Sequence, residues 1–413
     1  MLRITLCSVA LIVLGALALG SVHADVVMDA MSLADGISDA DERANPIPAE
    51  TWSPKEEAAE IVAVAMFQAV NTVHPRYAPF RVALVPAPVG ASAEAAAVAA
   101  AHAALISIFP DQKKHLDDVY ALAIVDIPET PERATGIAVG EQAAAQVIAA
   151  RTADNAGSPA PFRPEAPPGI WVPTTPTTIP PYLWSGKPWL MSSVSQFRPK
   201  PPVALASAAW ARDFNETKSL GGRDSSARSA EWTRLATFYA GWQHWPIVRQ
   251  VAAQPGRTLE QNARLYALIA MAVSDANVAM VDGKLTYRFW RPITAIRNGD
   301  RDGNDATARQ ADWQPLLKTP MHPEYPCGHC VLVWALVTVL AAEAPPPSSG
   351  IAVTSDALPG AVRYVASYAT LAQEISLSRI YAGAHFRAST EVGAELGRRV
   401  AEYELREFLQ PVR

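Results

Sequence analysis

Cysteine is scarce in this chain, and its scarcity excludes one way of stabilising a fold. Three cysteines occur in 413 residues, too few for a small domain held together by a framework of disulfides. Half of the residues are hydrophobic, which at this length is enough for a sizeable core in one large domain or two fused ones. Packing must therefore supply most of the stability.

An excess of positive charge is lacking as well. The chain has 35 Lys and Arg against 40 Asp and Glu, a formal net charge of -5. The basic residues are scattered, whereas a nucleic-acid-binding protein gathers them into a patch or stripe. We therefore expect no nucleic-acid partner.

Long apolar runs are absent after the first residues. The run over 4–20 follows Arg3 and precedes the small-residue sequence VHA, the pattern of a cleaved export signal. No second apolar stretch of about 20 residues follows, the length that a membrane-spanning helix needs. We predict a signal peptide over 1–24, a mature chain that starts at Asp25, no stable membrane span, and a periplasmic or secreted protein.

Alternation typical of strands is also scarce, and helical spacing takes its place. Apolar positions recur at helical intervals in EEAAEIVAVAMFQAVNTV and ASAEAAAVAAAHAALISIF. We predict an all-α, multi-helix bundle. Its predicted parts after the signal peptide are an N-terminal helical region over 25–158, a Pro-rich extended segment over 159–204 and a helical catalytic region over 205–413.

The Pro-rich segment interrupts the helical pattern. Prolines recur every few residues in PAPFRPEAPPGIWVPTTPTTIPPYLW, and proline is excluded from helix interiors. We expect this segment to lie against the body of the protein, because it also contains Trp171, Trp184 and Trp189.

Two cations mark the first polar motif, KLTYRFWRP. Lys284 and Arg291 are seven residues apart, two helical turns, and we predict that they project from one face of a helix. On a surface helix such a pair is usually only solvated. Its neighbours along the chain give it a different meaning.

Two further motifs add histidines and a third cation. In HPEYPCGHC the chain breaks at Pro326 and Gly328 before an apolar helix, so the residues at 327–329 lie where a helix N-terminus offers N–H groups and positive dipole to an anion. In SRIYAGAHFR, Arg379 and His385 are six residues apart. Arginine suits a bidentate grip on tetrahedral oxyanions, and imidazole can act as nucleophile, metal ligand or acid–base group.

The three motifs together resemble those of one superfamily, shared by vanadium-dependent haloperoxidases and type 2 acid phosphatases. In order and spacing they match its K-x6-RP, PSGH and SR-x5-H signatures, apart from one residue. AMFQAVN, the Pro-rich middle and FRPKPP are similar to bacterial secreted haloperoxidase-like proteins. The resemblance covers roughly residues 54–406.

This resemblance implies a site. Lys284, Arg291, Arg379 and the N–H of Gly328 would bind the oxygens of vanadate, and His385 would ligate vanadium. His329 would move a proton while hydrogen peroxide oxidises a halide. The phosphatase members imply an alternative for the same pocket, in which a phosphoester is hydrolysed through a phosphohistidine on His385. A homodimer is a family expectation only.

Two positions depart from the family pattern. Cys327 stands where the signature has Ser, which places a weaker thiol donor among the oxyanion-binding residues. Cys330 lies three residues on, so the pair is either two thiols or a CxxC disulfide, and only the disulfide would resist hypohalous acid. Ser389 stands where the family often has an acid, and Glu391 is a candidate substitute as the partner of His385.

His322 bears on halide choice. It occupies the position where fungal chloroperoxidases have Phe and algal bromoperoxidases have His. The resemblance therefore favours bromide, with His322 in the halide pocket.

Two rival interpretations remain at this stage. CGHC also resembles the redox motif of protein disulfide isomerases, but those motifs follow a strand in a βαβ setting. The loss of the family Ser also allows a non-catalytic protein that binds phosphate or vanadate without turnover.

Overall fold

The computed structural model describes residues 25–44, 57–80, 86–152, 167–174 and 187–412. The predicted signal peptide and Trp184 lie outside these residues. The helices of the described part are α1 (Val26–Ala44), α2 (Ala58–Val73), α3 (Ala93–Ile108), α4 (Lys113–Val125), α5 (Pro131–Thr152), α6 (Ala208–Leu220), α7 (Ala230–Phe238), α8 (Trp245–Ala252), α9 (Leu259–Tyr287), α10 (Pro292–Arg297), α11 (Gly328–Glu343), α12 (Tyr368–Tyr381) and α13 (Arg387–Glu407). The all-α prediction is confirmed.

One small hairpin is the part of the fold that the sequence analysis did not predict. Strands β1 (Ile351–Thr354) and β2 (Val362–Val365) pair antiparallel. The side chain of Gln250 on α8 donates to the carbonyl of Ala352 and accepts from its N–H. Helix α8 thus covers the outer edge of β1, whose backbone groups would otherwise be open to further pairing.

The long helix α9 is the centre of the fold. It begins with a capping box between Thr258 and Gln261 and packs against α2, α11 and α13. Alone among the described helices it is long and apolar enough to cross a membrane, and Ala93–Ile108 with Pro110–Val125 passes the same test as a bent pair. The most apolar window of α9 is 83% buried inside the protein, as in the core helix of a packed bundle.

Small residues allow the N-terminal helices to pack closely. Helices α2, α3 and α5 pack on one another, and many of their buried residues are alanines. A methyl group at Gly140 of α5 would lie 2.3 Å from the carbonyl oxygen of Ala96 on α3. These helices therefore approach to backbone contact.

The Pro-rich segment is held against α9 by one carboxylate. Asp275 is fully buried, and it accepts the N–H groups of Trp189, Leu190 and Met191 at 2.5, 2.9 and 2.8 Å. The side chains of Trp171 and Trp189 are also buried. The expectation that the segment lies against the body is confirmed for its described residues.

Candidate oxyanion site

Lys284 and Arg291 converge by a different route from the one predicted. Helix α9 ends at Tyr287, Arg288 takes the left-handed conformation with φ 45°, and Arg291 is the N-cap of α10. The prediction that one helix face carries both cations is therefore wrong. Residue 291 precedes a proline, whose ring disfavours helical backbone in the residue before it, and Arg291 is accordingly extended, with ψ 156°.

The turn before α11 brings the two cations together. Lys284 Nζ donates to the carbonyls of Pro323, Glu324 and Pro326 at 2.9, 3.1 and 2.6 Å. An ammonium has three N–H donors, so these bonds use all of them. Lys284 shapes this turn and supplies charge, while burial lowers its pKa.

Arg291 joins the turn to the third motif. Its Nε donates to the carbonyl of His322 at 2.8 Å, and its Nη2 lies 3.0 Å from Nδ1 of the same residue. Nη1 donates to the carbonyl of Ala384 at 2.9 Å and lies 3.0 Å from His385 Nε2. Burial lowers the pKa of Arg291 to about 9, which leaves it charged at neutral pH.

The partner of the His385 imidazole is Glu324, which the sequence analysis missed. The Nδ1 atom of His385 lies 2.8 Å from Glu324 Oε1, and both side chains are buried. Glu391, the predicted partner, is exposed on α13. That prediction is corrected, and the available signal was an acid between two prolines in an otherwise apolar turn.

The side chain of Cys327 has no hydrogen-bond donor to offer in this structure. It forms a disulfide with Cys330, so it carries no thiol proton, and its sulfur accepts the N–H of Cys330 at 3.3 Å. Its own N–H donates to the carbonyl of Ser389 at 3.2 Å. Of the two alternatives for this pair the structure has the disulfide, so Cys327 joins the oxyanion-binding residues without a side-chain donor.

The start of α11 is where the sequence placed it, after the N-cap Cys327. Gly328 is the first residue of the helix, and a methyl group there would lie 2.9 Å from the sulfur of Met280. His329 follows and bonds to the backbone of Ala240. Burial and the charge of Arg379 lower the pKa of His329, so its imidazole is neutral at neutral pH.

Arg379 is the cation with free donors. It is 4% exposed, and its Nε and Nη1 atoms have no hydrogen-bond partner among the described residues. A buried donor without a partner costs about 1–3 kcal/mol, and more when it is charged. Burial lowers the pKa of Arg379 to about 10, so the group remains a guanidinium that can bind an anion.

The donor set suits a multiply charged oxyanion. Lys284, Arg291 and Arg379 are all buried, and Glu324 is the carboxylate next to the first two. Burial and the nearby cations lower the pKa of His385 and of His322. No group of three or more His, Cys, Asp or Glu in the described ranges could hold a bare metal ion. Vanadate or phosphate therefore fits the charge and the donors of this pocket.

Comparison with known proteins shows which of them this chain resembles. Residues 264–412 match the family model of the VCPO second helical-bundle domain, and all three signature motifs lie within them. The first bacterial vanadium-dependent iodoperoxidase of known structure superposes with a TM-score of 0.75 at 22% identity, covering 96% of this chain and 100% of that one. The chain therefore has the fold of the vanadium haloperoxidases, and its C-terminal part is similar to the second helical-bundle domain of that family.

Two structures of bacterial vanadium-dependent chloroperoxidase have a similar fold. The holo form of a bacterial vanadium-dependent chloroperoxidase has a TM-score of 0.62 at 17% identity, covering 93% of each chain. The apo form has a TM-score of 0.61 at 16% identity, covering 83% of this chain and 90% of that one. No curated protein matches. Similarity at these identities establishes the haloperoxidase fold and leaves the reaction to the site.

Proposed function

We propose that this chain is a vanadate-dependent haloperoxidase that oxidises halide with hydrogen peroxide and prefers bromide. The observation that carries the proposal is the buried pair of unpartnered donors on Arg379, next to His385 and Arg291. A purely structural arginine would bond to protein acceptors, as Arg228 does with three or more carbonyls.

In this proposal four groups hold vanadate. Arg379 and Arg291 donate to its oxygens, the N–H of Gly328 adds the dipole of α11, and Lys284 contributes charge through the turn that it holds. His385 would hold vanadium through Nε2. When bound, vanadate would supply Lewis-acid activation of peroxide.

His329 is the proposed acid–base group. Its low pKa keeps the ring neutral, so the nitrogen that does not bond Ala240 can take a proton from hydrogen peroxide and return it to the departing product. Replacing His329 by Ala should abolish turnover and spare vanadate binding. Equal loss of both would remove His329 from this role.

His322 is the proposed halide-pocket residue. It is partly buried, and its ring lies against Arg291, where a halide would meet both a positive charge and an imidazole. The bromide preference fails if vanadate-loaded protein oxidises chloride as readily as bromide.

We also propose that the protein is exported after cleavage behind Ala24, and that it forms a homodimer. N-terminal sequencing of the exported protein would test the first point, and light scattering in solution the second. A first residue other than Asp25, or a monomer at all concentrations, would contradict them.

The decisive experiment is bromination of monochlorodimedone by purified protein with peroxide, with and without vanadate, alongside hydrolysis of p-nitrophenyl phosphate by the vanadate-free form. Vanadate-dependent bromination supports the proposal. Phosphate release alone would make the protein a phosphatase, and silence in both assays an oxyanion binder.

A further inference from the structure

Glu324 contacts two of the three signature motifs at once. Its carbonyl accepts the ammonium of Lys284 at 3.1 Å. Its Oε1 atom lies 2.8 Å from His385 Nδ1 and accepts the N–H of Phe386 at 3.0 Å. The carboxylate is therefore fixed relative to the imidazole by a backbone bond to the very next residue.

The partners on the two sides of the imidazole determine where its proton lies. Nε2 faces Arg291 Nη1 at 3.0 Å, and a guanidinium N–H can only donate. Nε2 must therefore accept, and the proton lies on Nδ1, where Glu324 accepts it. Glu324 and Arg291 together select one tautomer of His385.

The small side chain of Ser389 leaves room for the side chain of Glu324. Ser389 is buried on the first turns of α13, and its hydroxyl is close enough to lower the pKa of Glu324, although it is not aligned as a hydrogen bond. A larger acidic residue at 389 would compete with Glu324 for this space. The carboxylate that serves His385 thus comes from the turn before α11 and not from α13.

We propose that Glu324 is a positioning residue that holds His385 in the Nδ1-protonated form and raises the basicity of Nε2 toward the bound oxyanion. The expected effect on vanadate affinity rests on the proposed function. The tautomer of His385 can be tested without any ligand. Partners that orient a metal-binding histidine typically change metal affinity about 10–100-fold when they are replaced.

Two variants separate the effect of the position of the Glu324 carboxylate from the effect of its charge. Glu324→Gln keeps the shape and removes the charge, while Glu324→Asp keeps the charge and withdraws it from Nδ1. If Glu324 acts as proposed, both variants weaken vanadate binding by about 10-fold or more relative to phosphate, which needs no bond to Nε2. Affinities for the two anions would be measured on the purified full chain by calorimetry.

A ligand-free readout accompanies the binding data. In ¹⁵N-histidine-labelled protein, His385 should give the shifts of a neutral ring protonated at Nδ1, with the signal assigned through His385→Gln. Glu391→Gln, a change at an exposed acid of α13, is the matched control and should leave both readouts unchanged. The double variant Glu324→Gln with Ser389→Glu should recover part of the lost vanadate affinity.

Two results would overturn the proposal. One is a wild-type His385 ring protonated at Nε2. The other is a pair of outcomes: Glu324→Asp keeps wild-type affinities, and Glu324→Gln changes vanadate and phosphate binding equally. In that case only the charge of Glu324 would matter and not its position. A wild-type protein that binds no vanadate defeats the proposed function alone, because the tautomer result still stands or falls by itself.

Discussion

At the scale of single residues, the three cations of the pocket differ in how their hydrogen-bond donors are used. Lys284 spends its donors on the turn before α11, Arg291 bonds two histidines and two carbonyls, and Arg379 keeps Nε and Nη1 free. A sequence motif cannot distinguish them, since each is simply a basic residue at the expected spacing. Only the surrounding carbonyls make the distinction.

Replacing Arg379 by Lys tests this division. The charge stays, but the planar fork that binds two oxygens is lost, so phosphate and vanadate should bind about tenfold more weakly, a difference of about 1.4 kcal/mol. Calorimetry would measure the affinities. Arg399→Lys, a change at an exposed arginine of α13, should leave them unchanged, and equal affinities in both variants would contradict the assignment.

The disulfide makes a second residue-scale prediction. In a Cys327→Ser, Cys330→Ala variant, a hydroxyl replaces a sulfur that has no proton, while the N-cap position keeps a side-chain acceptor. One added hydrogen bond is worth about 0.5–1.5 kcal/mol, so phosphate affinity should rise about 2- to 10-fold. Phosphate titration would measure this, and an unchanged affinity would show that residue 327 does not face the anion.

At the scale of elements, close helix contacts support the site. Gly397 of α13 lies against α11, and a methyl group there would be 2.1 Å from the carbonyl oxygen of Val331. Gly393 faces Cys327 in the same way, with the Cys327 carbonyl oxygen at 2.8 Å from a methyl group. The N-terminus of α11 is thus held in place by the helix that follows His385.

Gly397→Ala should force α11 and α13 apart. Overpacking of this kind costs about 1–3 kcal/mol, and chemical denaturation would measure the loss. Gly36→Ala in α1 is the control, since a methyl group there meets nothing within 4 Å, and it should be neutral or stabilise by about 0.5–1 kcal/mol. Equal stability of the two variants would contradict the close contact.

Element boundaries also show what the sequence could predict. The helical class and the start of α11 follow from local patterns of apolar residues, prolines and glycines, whereas the meeting of the three motifs at one site was implied only by the resemblance to the superfamily. Pro292 indicated a helix break between Lys284 and Arg291, but their seven-residue spacing led to the prediction of a single helix face. The Glu324–His385 pair was not readable, because it joins residues 61 positions apart whose contact depends on how α11 and α13 pack.

At the scale of the whole molecule, Asp275 links the Pro-rich segment to the core. The carboxyl group of Glu404 on α13 is close enough to affect the pKa of Asp275, which burial raises. Two buried carboxyl groups in this proximity cannot both ionise without repulsion, so one proton is shared between them. The folded protein therefore retains a proton that the unfolded chain would release.

This shared proton predicts a pH dependence of stability. The folded-state pKa of Asp275 is above the usual value of 3.8. The contribution of Asp275 to the free energy of unfolding is therefore fully present below pH 3.8 and is lost as the pH rises through the raised pKa. Glu404→Gln supplies a permanent N–H donor to Asp275, so its stability relative to wild type should increase with pH. Denaturation in mildly acidic and mildly alkaline buffer would measure the difference, and a pH-independent difference would contradict the shared proton.

The alanine-rich contacts of α2, α3 and α5 have a consequence for conformational entropy. Alanine has no side-chain rotamers to lose on folding, whereas a leucine or isoleucine loses about 0.5–1 kcal/mol of rotamer freedom. This part of the core therefore orders few side chains, but each alanine also buries little apolar area. Its stability depends on how closely the backbones approach, so we expect its tolerance of substitutions to decrease steeply with the volume of the new side chain.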